Sequence, residues 1–237
     1  MSHRIIHRIL MDQSTDKIQA RFPDWRVYVE ADEIQRGVCR CAAQLNARFK
    51  DHVGKIVLVG ILKGVVFFMA DLSPLLEFEH SWYLLELSSY KNATTRGATE
   101  ILSQITPEKF AEKHVIIIDE LFDNGQTLFD AKEAIMTKGS VEAVNITTCT
   151  LLVKNKVTKF SLPDFFGIIL EDIWIVGYGL DHKEEYRNLR CLYGLNFESE
   201  EAYKLARTSI MAQMLFIGYC GSNIPLEDRD SWCNLLF

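Results

Sequence analysis

Nine consecutive residues concentrate groups that could hold a sugar phosphate: Asp119-Glu120-Leu121-Phe122-Asp123-Asn124-Gly125-Gln126-Thr127. They follow the run Val115-Ile116-Ile117-Ile118, which reads as a buried strand. They lead into a helical pattern from Thr127 to Lys138, with Gly139 placed to cap it. The start of a helix offers unpaired N–H groups and a positive dipole end, so it suits a phosphate. Gly125 lets the backbone approach an anion closely. The Thr127 hydroxyl can donate to a phosphate oxygen or cap the helix. Two acids beside an anion site make sense if they hold sugar hydroxyls or a metal ion. Taken alone, Asp123-Asn124-Gly125 is also common turn chemistry, and on this segment the two readings stand level. No GxGxxG pattern accompanies it, which disfavours a dinucleotide site.

The surrounding elements alternate between strand and helix. Ile56 to Leu62 reads as a buried strand and Val65 to Leu76 as a helix, with Pro74 awkward in its last turn. Trp82 to Leu87 reads as a strand, and the polar stretch Ser88 to Glu100 as a mobile loop. Val141 to Val153 is mostly strand, and Phe165 to Leu170 and Ile173 to Tyr178 are two short strands. Asp32 to Phe49 has helical character, with Ile34, Val38, Cys41, Ala42 and Leu45 sharing a face. A further helix is expected from Ser199 to about Ile217, and the apolar end Gly218 to Phe237 reads as docked. Strands apolar on both faces, alternating with helices, imply an α/β fold with a parallel sheet. Ligands of such sheets bind at the carboxyl ends of strands. The loops after Leu62, Ile118 and Tyr178 should therefore meet.

Composition narrows the partners. The chain has 237 residues, 48% hydrophobic, with a net charge of −6. A chain this acidic is a poor match for a nucleic-acid backbone. No apolar run approaches the ~18 to 20 residues that a membrane-spanning helix needs. The start, Met1 to Arg8, has no apolar run or cleavage site of a secretory signal, so a cytoplasmic location is expected. The six cysteines show neither CxxC pairing nor zinc-ligand spacing, and read as free thiols.

The segment from Val115 to Thr127 resembles the phosphoribosyl pyrophosphate (PRPP) motif of the type I phosphoribosyltransferases. That motif is an apolar strand, two acids, two apolar residues, then Asp-[Ser/Thr]-Gly-x-Thr. Three further matches, in order, are similar to the hypoxanthine-guanine phosphoribosyltransferase family. They are Leu62-Lys63-Gly64, Ser89-Tyr90, and the run from Pro163 through Val176-Gly177-Tyr178-Gly179-Leu180-Asp181 to Tyr186-Arg187-Asn188-Leu189. The resemblance spans about Val57 to Leu192, and the four motifs together are highly specific.

The resemblance implies a type I phosphoribosyltransferase fold, a parallel sheet flanked by helices with a small hood. Residues 1–50 and about 160–204 would build the hood, and 205–237 would be an extension with no assigned role. The implied reaction joins a 6-oxopurine to PRPP, giving the nucleotide and pyrophosphate, with guanine preferred over hypoxanthine. Asp123 is implied as the general base toward N7. Asp119, Glu120, Asn124, Gly125, Gln126 and Thr127 would complete the ribose-phosphate site. Lys63, Gly64 and Arg187 would hold pyrophosphate. Lys154, Trp174, Ile175 and Asp181 would hold the purine, with Lys154 donating to O6 and Trp174 stacking. Ser89 and Tyr90 would sit on a closing loop. Asp181, Asp119 and Glu120 would bind Mg²⁺, and the enzyme would act as a homodimer.

The chain also departs from the family pattern. Its acid pair is Asp119-Glu120 where Glu-Asp is usual. Asn124 replaces a hydroxyl residue, Gln126 a frequent Lys or Arg, and Val65 a usual second glycine. The competing reading is a nucleotide-sensing, RNA-binding regulator on the same fold, which the net charge of −6 disfavours.

Overall fold

A computed structural model of the chain describes residues 17–89 and 99–219. Its main sheet has the strand order β4-β3-β2-β5-β6-β7. Strands β2 (Lys55–Leu62), β3 (His80–Ser89), β5 (Lys113–Phe122), β6 (Ile146–Lys154) and β7 (Phe165–Leu170) run parallel. The edge strand β4 (Thr99–Ile101) runs antiparallel to β3.

The β-branched runs follow from this architecture. Ile56, Leu58, Ile116 and Ile118 face one core, with helices α1 (Ala31–Phe49) and α2 (Val65–Leu72). Val57, Val59, Ile61, Val115 and Ile117 face a second core, beneath the helix α4 (Gln126–Lys138), which follows the short helix α3 (Pro107–Phe110). Successive residues of a strand point to opposite faces, and here both faces are covered, so the strand stays apolar throughout. All five positions named for the face of α1 are buried.

A second, antiparallel sheet is formed by β1 (Arg26–Val29), β9 (Leu192–Leu195) and β8 (Trp174–Val176). Residues 26–29 and 192–195 carried no strand expectation, and the short strand after Ile173 belongs to this sheet and not to the parallel one. Four-residue strands are too short for their alternation to stand out. Strand β5 runs on past the expected end, because Leu121 and Phe122 keep pairing with Leu152 and Val153. Asp119 and Glu120 therefore lie within a strand. Helix α2 stops at Leu72, and Pro74 starts a 3₁₀ turn over Ser73–Leu75, where its missing N–H costs nothing. The start of the Val141 to Val153 run forms a 3₁₀ turn over Ala143–Asn145 before β6 begins. The expected loop Ser88 to Glu100 opens and closes as paired strand, with Ser88 opposite Glu100 and Ser89 opposite Thr99. Residues 90–98 of that stretch lie outside the described residues.

The last described helix, α5 (Glu200–Tyr219), is docked. Ala206, Ile210 and Met214 enter the core shared with α1. The Gln213 side-chain amide accepts from Ile169 N and donates to Ile169 O, each at 2.9 Å, so it pairs with the free edge of β7. Arg207 donates to both Glu33 carboxylate oxygens, at 2.6 and 3.2 Å. The Glu33 side chain is buried. The expected docking of the apolar end falls mostly on residues 220–237, outside the described residues. Removing Arg207 leaves a buried carboxylate uncompensated. Arg207→Ala should lower unfolding free energy by about 3 kcal/mol, read from the urea midpoint. An unchanged midpoint would show that the pair does not hold α5.

Candidate active site

Two loops and the last residues of β5 meet at the carboxyl ends of the strands. Gly64 follows β2, Glu120 lies near the end of β5, and Gly179 follows β8. A Cβ on Gly64 would fall 1.8 Å from Glu120 Oε1, and one on Gly179 would fall 2.0 Å from the Gly64 carbonyl oxygen. Gly179 also has φ +99°, a conformation that favours glycine. The Leu62–Lys63 peptide is cis. These contacts bring Lys63, the acid pair and the strap Gly177–Asp181 to one place.

The acid pair is the least comfortable part of the free site. Asp119 is buried, and its Oδ1 accepts the adjacent Glu120 N–H at 3.1 Å. Burial pushes its carboxyl well above the ordinary range, and the neighbouring Glu120 charge pushes it further. Burial raises Glu120 as well, and its Oε2 is enclosed without a hydrogen-bond partner. An enclosed carboxylate oxygen facing no donor suits a cation or a hydroxyl. Two carboxylates are a fitting protein share for Mg²⁺, which takes its remaining ligands from water and phosphate.

Asp181 is not gathered with that pair. Arg187 Nη2 holds its Oδ1 at 2.8 Å, and its Oδ2 accepts Glu184 N. Among the described residues no three His, Cys, Asp or Glu side chains form a metal cluster. Arg187 Nη1 also donates to the Gly179 carbonyl at 2.8 Å, tying itself to the strap. Lys63 and Arg187 both contact Glu184 Oε2, at 3.1 and 3.2 Å. These two cations hold the Glu184 carboxyl below its ordinary value.

The loop before α4 is a left-handed turn. Gly125 is its N-cap residue, at φ +83°. Asn124 Oδ1 accepts Gln126 N at 3.0 Å, and the Gln126 side chain reaches Asp130. Thr127 does not cap the helix; it stands exposed in the first turn.

Asp123 lies just beyond β5, beside Lys154 at the end of β6. Lys154 Nζ is 3.2 Å from Asp123 Oδ1 and 3.1 Å from Asp172 Oδ1. Lys156 reaches the same two oxygens, at 2.5 and 3.1 Å. Trp174 is 60% exposed, so it is not filling the core, whereas Ile175 beside it is buried. Ser89 ends β3, and Tyr90 lies outside the described residues. The sequence reading missed Lys156, Asp172 and Glu184. The spacing of Lys154 and Lys156 was a usable signal, since alternate residues of an extended chain share a side.

A family profile described as "Phosphoribosyl transferase domain" matches residues 25–183. A hypoxanthine phosphoribosyltransferase from Salmonella typhimurium is 33% identical over 166 residues, 69% of this chain and 90% of the relative. A hypoxanthine-guanine phosphoribosyltransferase from Streptococcus pneumoniae is also 33% identical, covering 69% and 89%. Among solved structures, a hypoxanthine phosphoribosyltransferase from Staphylococcus aureus superposes with a TM-score of 0.62 at 30% identity, covering 76% of this chain and 96% of that one.

The burial of two acids side by side has a measurable consequence. A carboxyl raised by folding favours the folded state below its unfolded value, near 3.8 for Asp119, and that contribution is lost as pH rises through the folded value. At neutral pH the buried pair is therefore a burden on the protein. Asp119→Asn should stabilise the ligand-free protein at pH 7 by about 1 kcal/mol, and the gain should vanish as pH falls toward 3.8. Thermal melts across that range check it. A variant that is less stable at pH 7 would contradict the account.

Proposed function

This chain belongs to the hypoxanthine-guanine phosphoribosyltransferase family, pentosyltransferases of purine salvage, and from that premise we propose that it transfers the 5-phosphoribosyl group of PRPP to N9 of a 6-oxopurine, guanine before hypoxanthine. The products are GMP or IMP and pyrophosphate. The observation that carries the reading is the pairing of Asp123 with the buried Lys154, 3.2 Å apart, beside the start of α4. One group can take the purine N7 proton, and the other can donate to O6.

The reaction passes through a ribosyl oxocarbenium ion, so catalysis is mostly positioning and electrostatics. The N–H groups at the start of α4 and the Thr127 hydroxyl receive the 5-phosphate. Asp119 and Glu120 take the ribose hydroxyls and would hold Mg²⁺, which neutralises charge on pyrophosphate when bound. Lys63 and Arg187 bind pyrophosphate, whose oxygens replace the Glu184 carboxylate that both contact in the free site. As N9 bonds to C1′, the N7 proton passes to Asp123. Lys154 selects a 6-oxo base, because the 6-amino group of adenine is itself a donor. The exposed Trp174 ring offers a face on which the base stacks. Asp181 orients Arg187, and a backbone carbonyl near it accepts the guanine 2-amino group. The segment from Ser89 and Tyr90 closes over the site and excludes water. The sheet β1-β9-β8 serves as the hood.

Among the described residues no helix is long and apolar enough to cross a membrane. Cytoplasmic salvage is the setting that suits the reaction. Val66, Phe67, Leu75, Trp82 and Leu84 are exposed on or near the α2 side of the β3 edge. A patch of this kind marks an interface, and we assign it to a homodimer.

Incubation with PRPP, Mg²⁺ and each of guanine, hypoxanthine, xanthine and adenine should yield nucleotide from the 6-oxopurines, guanine fastest. No product from any base would refute the activity, and product from adenine alone would refute the role of Lys154. Asp123→Asn should lower turnover roughly 100-fold or more while PRPP binding stays nearly intact. Unchanged turnover would remove Asp123 as the base. For assembly, Phe67→Glu should shift the dimer to monomer in light scattering, and a persistent dimer would place the interface elsewhere.

A further inference from the structure

Asp123, Lys154, Asp172 and Lys156 form a closed ring of alternating charge. Each ammonium lies within 3.2 Å of both carboxylates. The members come from three places: Asp123 after β5, Lys154 and Lys156 at and beyond the end of β6, and Asp172 after β7. They differ in access to water. The Lys154 side chain is only 10% exposed, against 28% for Lys156 and nearly half for each acid.

The ring is neutral in the free site, with two positive and two negative charges. Catalysis breaks that balance. When the N7 proton moves to Asp123, the N7–H electron pair stays in the purine ring, N9 bonds to C1′, and the bond from C1′ to pyrophosphate breaks. Asp123 is then neutral, and one carboxylate, Asp172, faces two ammoniums. Lys156 can be hydrated, whereas the buried Lys154 cannot, and a buried charge without a partner is strongly disfavoured. We propose that Asp172 is a positioning residue, the standing counter-ion that keeps Lys154 aimed at the purine O6 while Asp123 carries the proton. This rests on the assignment of Asp123 and Lys154 above. Burial pushes the Asp172 carboxyl up, but hydrogen bonds from Lys156 and Lys154 reverse this and leave it below the ordinary value.

The role predicts a loss confined to one atom of the ligand. Calorimetric titrations compare IMP with purine riboside 5′-monophosphate, the same nucleotide with hydrogen at C6. The wild-type protein should prefer IMP by about tenfold, as one charge-assisted hydrogen bond provides. Asp172→Asn should remove most of that preference while leaving affinity for the purine riboside phosphate unchanged. Asp172→Glu should restore part of it. If Asp172→Asn keeps the preference, or weakens both nucleotides equally as a structural defect would, the proposal is overturned. Absence of any preference in the wild-type protein would instead sink the assignment of Lys154 to O6, and the proposal with it. Should Asp172→Asn fail to fold, Lys156→Gln decides. It leaves Asp172 with Lys154 and must preserve the preference, and its loss would show that Asp172 alone does not hold Lys154.

Discussion

The contact between Gly179 and the Gly64 carbonyl fixes the geometry on which the site depends. No side chain fits between these segments, and a Cβ on Gly64 would displace the Glu120 carboxylate. The loop that carries Lys63, the acid pair of β5 and the strap that carries Asp181 are thereby pressed together. Parallel strands bring their carboxyl ends to one edge of the sheet. Missing Cβ atoms then turn neighbouring loops into one cradle. The strap is secured from its other side by Arg187, which bonds the Gly179 carbonyl and Asp181 together.

The candidate site gathers many charged side chains in a small space. It pairs them internally. Glu184 contacts Lys63 and Arg187, and Asp172 and Asp123 share the two lysines of β6 and its extension. Each pairing keeps a cation oriented without solvating it fully, so binding exchanges one partner for another. Asp119 and Glu120 are the exception. They are buried beside one another, and Glu120 Oε2 has no hydrogen-bond partner. The protein bears the cost of burying that pair, as expected where stability is given up for function.

Much of this was legible in the sequence because it depends on local chemistry. The run Val115 to Ile118 announced a strand buried on both faces, and the α1 face from Ile34 to Leu45 announced its burial. Asp123-Asn124-Gly125 announced a turn leading into a helix, and Gly125 stands at the start of α4. Short strands were not legible, since Arg26–Val29 and Leu192–Leu195 are fixed by pairing across the chain and not by their own pattern. The partnership of Lys154 with Asp172 is likewise a contact between two loops, as is the hold of Glu184 on Lys63. The reach of β5 through Asp119 and Glu120 was hidden because acids read as a strand end, yet pairing with β6 carried the strand onward. Glycine contacts such as Gly64 with Gly179 become visible only when both backbones are placed.

The acid pair offers the most direct test of the account. In the free protein it holds its protons more tightly than ordinary carboxyls do. If the pair holds PRPP with Mg²⁺ as proposed, it does so in the ionised form, and protons leave as the ligand enters. Calorimetry of PRPP binding at mildly acidic pH, in buffers of different ionisation enthalpy and with and without Mg²⁺, measures this. The account predicts tighter binding with Mg²⁺ and net proton release, which Asp119→Asn diminishes. Binding indifferent to Mg²⁺, or accompanied by proton uptake, would contradict it.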